Sequence, residues 1–407
     1  MMRARSLVLV VAMLTCGALS ACSASSAGSN SSASPTVSTV APEVRAFYEV
    51  AAGDVAGAPG TVLRTQPVTA PAGAQGWRVL YRSRSVSDAP IVTSGLVFVP
   101  VGAAPAGGRP VVAWAHETTG IADDCAPSRS GEPTMSSTDL RALLTRGYVV
   151  TATDYEGLGT TGTHPYLVGA SEARSVLDSV RAAHAMSETG AGTRAAIYGY
   201  SQGGHATLFA AQYASSYAPE LSIVGSVAVA PPADLSQVPT QLATDRELYG
   251  FGVLAAFGLH AAYPNQVPLD AVLAREVVDQ SEVVETTCSQ LTFFALASRP
   301  LEKVFNPSLV SNPTVAKLLA ESSAGAAPPE GPVLIINGGK DTLATPAMVE
   351  RYIARVCAQG ASVEVLTKPD RDHGGVARDD FATAGPWIDA RFTGAPVPPG
   401  CPVRLPA

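Results

Sequence analysis

A chain of 407 residues with 46% hydrophobic and 15% charged residues has the composition of a globular protein, long enough for one large α/β domain with an insertion or for two ordinary domains. That length excludes the small folds that depend on staples for a core. The formal net charge of −7 argues against a nucleic-acid partner, which needs a basic face.

The first residues read as an address. Arg3 and Arg5 precede an apolar run over 7–19, too short to span a bilayer and the right size for the apolar segment of a secretory signal. The run ends in Leu19-Ser20-Ala21-Cys22, which resembles the bacterial lipobox, whose cysteine is acylated and becomes the first residue of the mature chain. The expectation is therefore a lipoprotein signal over 1–22, with Cys22 as the lipidation site and the outer face of the bacterial cytoplasmic membrane as the location. An ordinary signal cleaved nearby, leaving Cys22 unmodified, would make the protein secreted. More than one acyl chain is needed for stable anchoring. Residues 23–42, rich in serine and alanine, read as a flexible tether.

Beyond Cys16 and Cys22 the chain keeps Cys125, Cys288, Cys357 and Cys401, an even number for an oxidising compartment, so two disulfides are expected with three pairings open. No CxxC or HxxxH spacing occurs, and neither a metal nor another cofactor is expected.

From Trp77 onward short β-rich runs appear. "WRVLYRSRSV" and "IVTSGLVFVP" alternate and are joined by a short turn, as an antiparallel pair would be. "RPVVAWAHE", "YVVTATDY", "AAIYGYS", "SIVGSVAVA", "PVLIING" and "SVEVLTKP" are continuous apolar runs, most of them separated by helix-like segments. Such strands form a mostly parallel sheet flanked by helices, with ligands outside the carboxyl ends of the strands. Between 235 and 328 the alternation stops. Helix-like runs such as "YGFGVLAAFGLHAAY", "LDAVLAREVVDQSEVV" and "QLTFFALASRPLEKVF" fill this stretch. It reads as a helical cap inserted into a sheet domain formed by 43–234 and 329–407; a separate helical domain is the alternative.

The segment "AAIYGYSQGGHATLFAAQ" carries the chemistry. Gly-x-Ser-x-Gly alone is a weak signal, but here a strand precedes Ser201, a helix follows it, and glycines flank it, as a nucleophile elbow requires. A serine hydroxyl needs a base held by a third group. His373, in "DRDHGG" beyond the last expected strand, is the candidate base, and Asp341, after "PVLIING", the candidate acid. Asp370 and Asp372 compete for the acid role. The order Ser201, Asp341, His373 is that of an α/β-hydrolase. His164, His184, His205 and His260 are read as non-catalytic. The oxyanion hole is assigned to the backbone amides of Gln202 and Thr118, with Glu117 as second choice for the latter.

"GYSQGG", "AHETTG" followed by "CAPS", "TDYEGLGTTGTHPYLVG", "GGKDTLATP" and "DHGG" together resemble the secretory lipase family, α/β-hydrolases similar to Candida lipase A, in its actinobacterial branch. The resemblance runs from about Phe47 to Cys401. It implies lipase or carboxylesterase activity, a helical cap over the acyl site, a triad mapping onto Ser201, Asp341 and His373, and disulfides Cys125–Cys288 and Cys357–Cys401. Glu117 departs from the family's usual HGTTG: a carboxylate pointing at the oxyanion would oppose charge development, so either it faces away or activity is reduced. Tyr200, Asp154 and Tyr155 are assigned to the substrate side; for the last two a buried turn or capping role competes. "YGFGVLAAFGLHAAY" lines an acyl tunnel or serves cap packing alone.

The reading is an exported, membrane-tethered, monomeric serine esterase or lipase acting on acyl esters, triacylglycerols among them. The alternatives are an acyltransferase or serine peptidase of the same fold, and a surface binding protein with impaired catalysis.

Overall fold

The computed structural model describes residues 42–289, 296 and 298–406. The signal, Cys22 and nearly all of the tether lie outside the described residues. No helix among the described residues is long and apolar enough to cross a membrane.

Ten strands form one sheet: β1 (Val62–Val68), β2 (Ala74–Arg84), β3 (Pro90–Pro100), β4 (Arg109–Ala115), β5 (Val149–Thr153), β6 (Ala191–Tyr200), β7 (Ser222–Val229), β8 (Val333–Gly338), β9 (Val363–Lys368) and β10 (Val403–Leu405). Their order is β1-β2-β3-β5-β4-β6-β7-β8-β9-β10. The expected hairpin of β2 and β3 is antiparallel over its whole length, and everything from β5 to β10 is parallel.

Period-two alternation explains why the parallel strands are apolar throughout. On β4, Val111, Ala113 and Ala115 face one core and Val112 and Trp114 the other. The first core is covered by α3 (Gly169–Ala185) and α4 (Gln202–Tyr217), through Val176, Leu177, Val180, Leu208 and Phe209. The second is covered by helix Ser137–Thr145 (α2) and, near the C-terminus, by helix Phe381–Phe392, through Leu143, Trp387 and Ile388. Each such side chain contributes ~1.5–3 kcal/mol when fully buried.

Two strands escaped the sequence reading. Both β1 and β10 lie at sheet edges, where burial is incomplete and the apolar signal dilutes; β1 even carries Pro67, which an edge tolerates.

Between β7 and β8 the described residues form helices, among them α5 (Val238–Leu242), α6 (Tyr249–Ala262), α7 (Arg275–Val278), α8 (Ser281–Thr286) and α9 (Pro313–Glu321). They share a core built on Val253, Leu254, Phe257, Leu273, Val304 and Phe305. The run 269–284, read as one helix, is broken. Leu273 forms an isolated bridge with Phe305, and Ala274 N–H bonds Val304 O, which draws the backbone out of helical geometry. Of the expected helix over 290–305, most of the first half lies outside the described residues and Leu301–Lys303 is a short 3-10 turn.

The segment leaves and rejoins the sheet at one place: Ala324 N–H donates to Ala233 O at 3.0 Å, and Leu235 N–H to Ser323 Oγ at 2.8 Å. Disulfide Cys125–Cys288 ties it to the loop after β4, and Cys357–Cys401 ties helix α10 (Pro346–Cys357) to β10. These are the two pairings that the family resemblance implied.

Asp234 fixes the point of departure. Its carboxylate accepts from Arg355 of α10 at 2.6 Å and pairs with Arg351 at 3.1 Å. Burial pushes its pKa up, but the bonds from Arg355 and Ser236 outweigh this and hold it down to about 2. A carboxyl depressed in the folded state stabilises fully above its unfolded value, near 4, and loses that contribution as pH falls toward 2. Asp234→Asn is expected to lower stability by ~1–3 kcal/mol at pH 7, the arginines being part-exposed, with a smaller gap at pH 3. Urea unfolding of both proteins at the two pH values measures this.

Candidate active site

Strand β6 ends at Tyr200 and α4 begins at Gln202, so Ser201 alone makes the turn. It does so at φ 55° and ψ −117°, a conformation that costs a non-glycine residue ~1–3 kcal/mol. The flanking glycines are there for space. A Cβ on Gly203 would collide with Ala115 O at the end of β4, and one on Gly199 with Gly203 O. Only with hydrogen at both positions can the first turn of α4 lie against β4 and β6. The turn is tied to the sheet by Ser201 N–H donating to Val229 O at 2.9 Å.

Asp341 lies in the loop after β8. Its Oδ1 accepts the backbone N–H groups of Leu343 and Ala344, both at 2.9 Å, which leaves Oδ2 free to accept from His373 Nδ1 at 2.8 Å. His373 opens a short helix, α11 (His373–Val376), after β9, and its Nε2 accepts the Ser201 hydroxyl at 2.8 Å. The two other aspartates are otherwise engaged: Asp372 caps α11 by accepting from Gly375 N–H, and Asp370 pairs with Lys340 on the surface. The three residues that the sequence reading assembled thus form one hydrogen-bonded series at the carboxyl edge of the sheet. A hydroxyl, an imidazole and a carboxylate in that order can deprotonate the hydroxyl as it attacks an electrophile.

Ser201 and His373 open onto a cavity whose other walls are almost wholly apolar. Leu235, Val238, Phe251 and Leu319 come from the helical segment, and Leu343 and Met348 from the sheet domain. In the segment "YGFGVLAAFGLHAAY", Phe251, Gly252 and Ala255 line the cavity while Val253, Leu254 and Phe257 fill the helical core.

Of the residues assigned to the substrate side, Tyr200, Asp154 and Tyr155, none lines this cavity. Tyr200 braces the imidazole, donating its hydroxyl to His373 O at 3.2 Å with the rings 5.3 Å apart. Asp154 is buried beneath the loop after β4, accepting from Ser94 Oγ at 2.6 Å, Ser128 N–H at 2.9 Å and the Ser128 hydroxyl. Burial pushes its carboxyl above the usual range. Tyr155, fully buried at φ 71°, donates to His116 O at 2.9 Å. Both support the 116–119 loop from below because the chain turns inward directly after β5. In that loop the Thr118 hydroxyl bonds Tyr166 Oη at 2.7 Å.

Glu117 faces away from the cavity at Ser201. Its Oε2 accepts from Thr134 Oγ1 at 2.7 Å, and it lines a separate cavity with Trp114, Tyr198, Tyr200 and Asp380. Burial among these groups raises the Asp380 carboxyl to about 6. The sequence reading missed a polar cluster directly behind the elbow, formed by Glu172, His205, Gln202 and His164. The signal available for it was a glutamate in the first turn of α3, a helix whose inward positions, Asp178 apart, are otherwise small or apolar.

The doubly covered, mostly parallel sheet with a serine at a sharp strand-to-helix turn defines an α/β-hydrolase. Residues 132–400 match the secretory lipase family, and the chain belongs to it, which places the protein among the carboxylic ester hydrolases. It is 29% identical over 370 residues to a secreted triacylglycerol lipase of Malassezia globosa, covering 84% of this chain and 79% of that protein. It is 27% identical over 391 residues to a Mycobacterium tuberculosis protein named a probable inactive lipase, covering 89% and 84% respectively. In fold it is similar to Candida antarctica lipase A in its closed state, with a TM-score of 0.76 at 22% identity over 89% of both chains. It is also similar to a rice cell wall degrading esterase from Xanthomonas oryzae, with a TM-score of 0.66 at 21% identity, covering 83% of this chain and 97% of that one.

Because Glu117 is held outward, Glu117→Gln is expected to change kcat less than about threefold, against the ~10²–10³-fold cost of losing a true oxyanion donor. Steady-state kinetics on a soluble ester measure it; a tenfold gain would mean that the carboxylate opposes the reaction.

Proposed function

We propose that the protein is an exported lipase or carboxylesterase that cleaves acyl esters through an acyl-enzyme on Ser201. The observation that carries this reading is the series Ser201–His373–Asp341 at the mouth of an apolar cavity. The Ser201 oxygen attacks the ester carbonyl carbon while its proton passes to His373 Nε2. Asp341 stabilises the imidazolium without taking a proton. The resulting oxyanion is held by the backbone N–H of Gln202, one of the first amides of α4 and so without an intrahelical partner, and by that of Thr118. Collapse breaks the bond to the alcohol, which leaves with the proton from His373. Water then attacks the acyl carbon, again giving its proton to His373, and the acid departs as that proton returns to the serine.

The acyl chain occupies the apolar cavity, over which 235–328 serves as a cap. Export is supported by the family and by the secreted relative, with acylated Cys22 as the anchor. The reading as a binding protein with impaired catalysis rested on Glu117, and the outward bond to Thr134 weakens it.

Hydrolysis of p-nitrophenyl esters of increasing chain length tests the proposal. Each methylene buried is worth ~0.8 kcal/mol, so kcat/KM is expected to rise about fourfold per carbon until the cavity fills. Ser201→Ala and His373→Ala are each expected to lower kcat by ~10⁴-fold or more, and Asp341→Asn by ~10²–10⁴-fold. Equal rates for the wild type and Ser201→Ala, or a wild type inert to a fluorophosphonate, would defeat the reading.

A further inference from the structure

Behind the elbow a set of polar side chains is sealed from solvent. Glu172 and His205 are both fully buried, as is His164, and Gln202 is 1% exposed. Glu172 Oε1 accepts from Gln202 Nε2 at 2.9 Å and from Leu167 N–H at 3.2 Å; its Oε2 accepts from His205 Nδ1 at 2.7 Å. His205 Nε2 in turn donates to Ser322 O at 2.8 Å. Gln202 Nε2 makes a second bond, at 2.8 Å, to His164 Nε2, and His164 Nδ1 donates to Glu156 O at 2.8 Å.

Counting protons fixes the donors. His205 Nε2 faces a carbonyl, which only accepts, so it carries an N–H, and one further proton lies between His205 Nδ1 and Glu172 Oε2. His164 meets a carbonyl and an amide donor, so it is the neutral tautomer protonated at Nδ1. Burial agrees, lowering its pKa to about 4. The Gln202 amide then has one allowed orientation, because turning it over would set its oxygen against Glu172 Oε1, itself an acceptor, and the His164 lone pair. A buried polar pair is often no more stabilising than well-packed apolar groups of the same volume, so stability alone does not account for this one.

What it does hold is Gln202, whose backbone amide follows the nucleophile. We propose that the hydrogen-bonded Glu172–His205 pair is a positioning device for that amide. Through Ser322, at the end of α9, the same pair links the oxyanion site to the helical segment, whose Leu319 lines the acyl cavity. Neither residue touches the reacting atoms. This rests on the esterase reading above.

The test is Glu172→Gln beside Gln202→Met, which removes both side-chain donations and leaves the Glu172–His205 pair and the backbone amide in place. For each, kcat is expected to fall ~10–100-fold with KM within about twofold, the mark of an interaction made only in the transition state. Affinity for a trifluoromethyl ketone, which forms a tetrahedral adduct on the serine, falls in proportion to kcat/KM, while affinity for the product acid does not move. The double variant is no slower than the worse single one, since both act through one amide.

A wild type that is active beside a Glu172→Gln protein of lowered melting temperature, with kcat and ketone affinity within twofold, overturns the positioning role alone. If Glu172→Gln does not fold, Gln202→Met decides by the same criteria. A wild type that neither hydrolyses esters nor binds the ketone overturns the esterase reading and the positioning role together.

Discussion

One hydrogen bond, 2.8 Å from the Ser201 hydroxyl to His373 Nε2, joins residues 172 positions apart, and the rest of the site is arranged to permit it. In the sheet the strand carrying the serine and the strand preceding the histidine are three places apart, ~14 Å at ordinary strand spacing. The loop after β9 therefore has to reach back across the ends of β8 and β7. Backbone bonds from Gly339 to Lys368 O and from Lys340 to Arg371 O stitch it to the loop after β8, and the Tyr200 hydroxyl holds it to β6 through His373 O. On the other side the serine meets it only because its own backbone is kept in a strained turn, a cost that the packing of α4 on β4 outweighs.

How much of this could be read in the chain depends on how local each cause was. The six parallel strands β4 to β9 were legible because burial on both faces leaves them as continuous apolar runs, and the elbow because strand, glycine-flanked serine and helix follow one another within eighteen residues. The choice among Asp341, Asp370 and Asp372 was open to order and spacing but not closed by them. It turns on two amides, of Leu343 and Ala344, that occupy one oxygen of Asp341 and aim the other. Edge strands β1 and β10 lacked a period to read, and the break at Leu273 depends on a bridge to a residue 32 positions later.

Direction of side chains was the least legible property. Asp154 and Tyr155 follow a strand at the catalytic edge and so invite a role at the substrate, yet the chain turns them beneath the loop they support. Glu117 is the sharper case. Its position beside the oxyanion loop is plain from the sequence, but whether it helps or harms is decided by Thr134, a hydroxyl 17 residues away that is itself bonded to Trp114 Nε1. A partner of that kind has no signature in composition or spacing.

The polarity of the site is divided by depth. In front of Ser201 the walls are nearly all carbon. In the proposed reaction an oxyanion forming at the edge of such a cavity finds little solvent, so dipoles fixed in advance have to stabilise it. In front, side chains that supplied them would spoil the apolar wall. Behind, they spoil nothing. Glu172, His205 and His164 lie under the backbone, where they hold the Gln202 side chain without entering the apolar wall. In the proposed role this ties the site to α3, α4 and the helical segment at once, since all three must be seated for the buried groups to keep their partners.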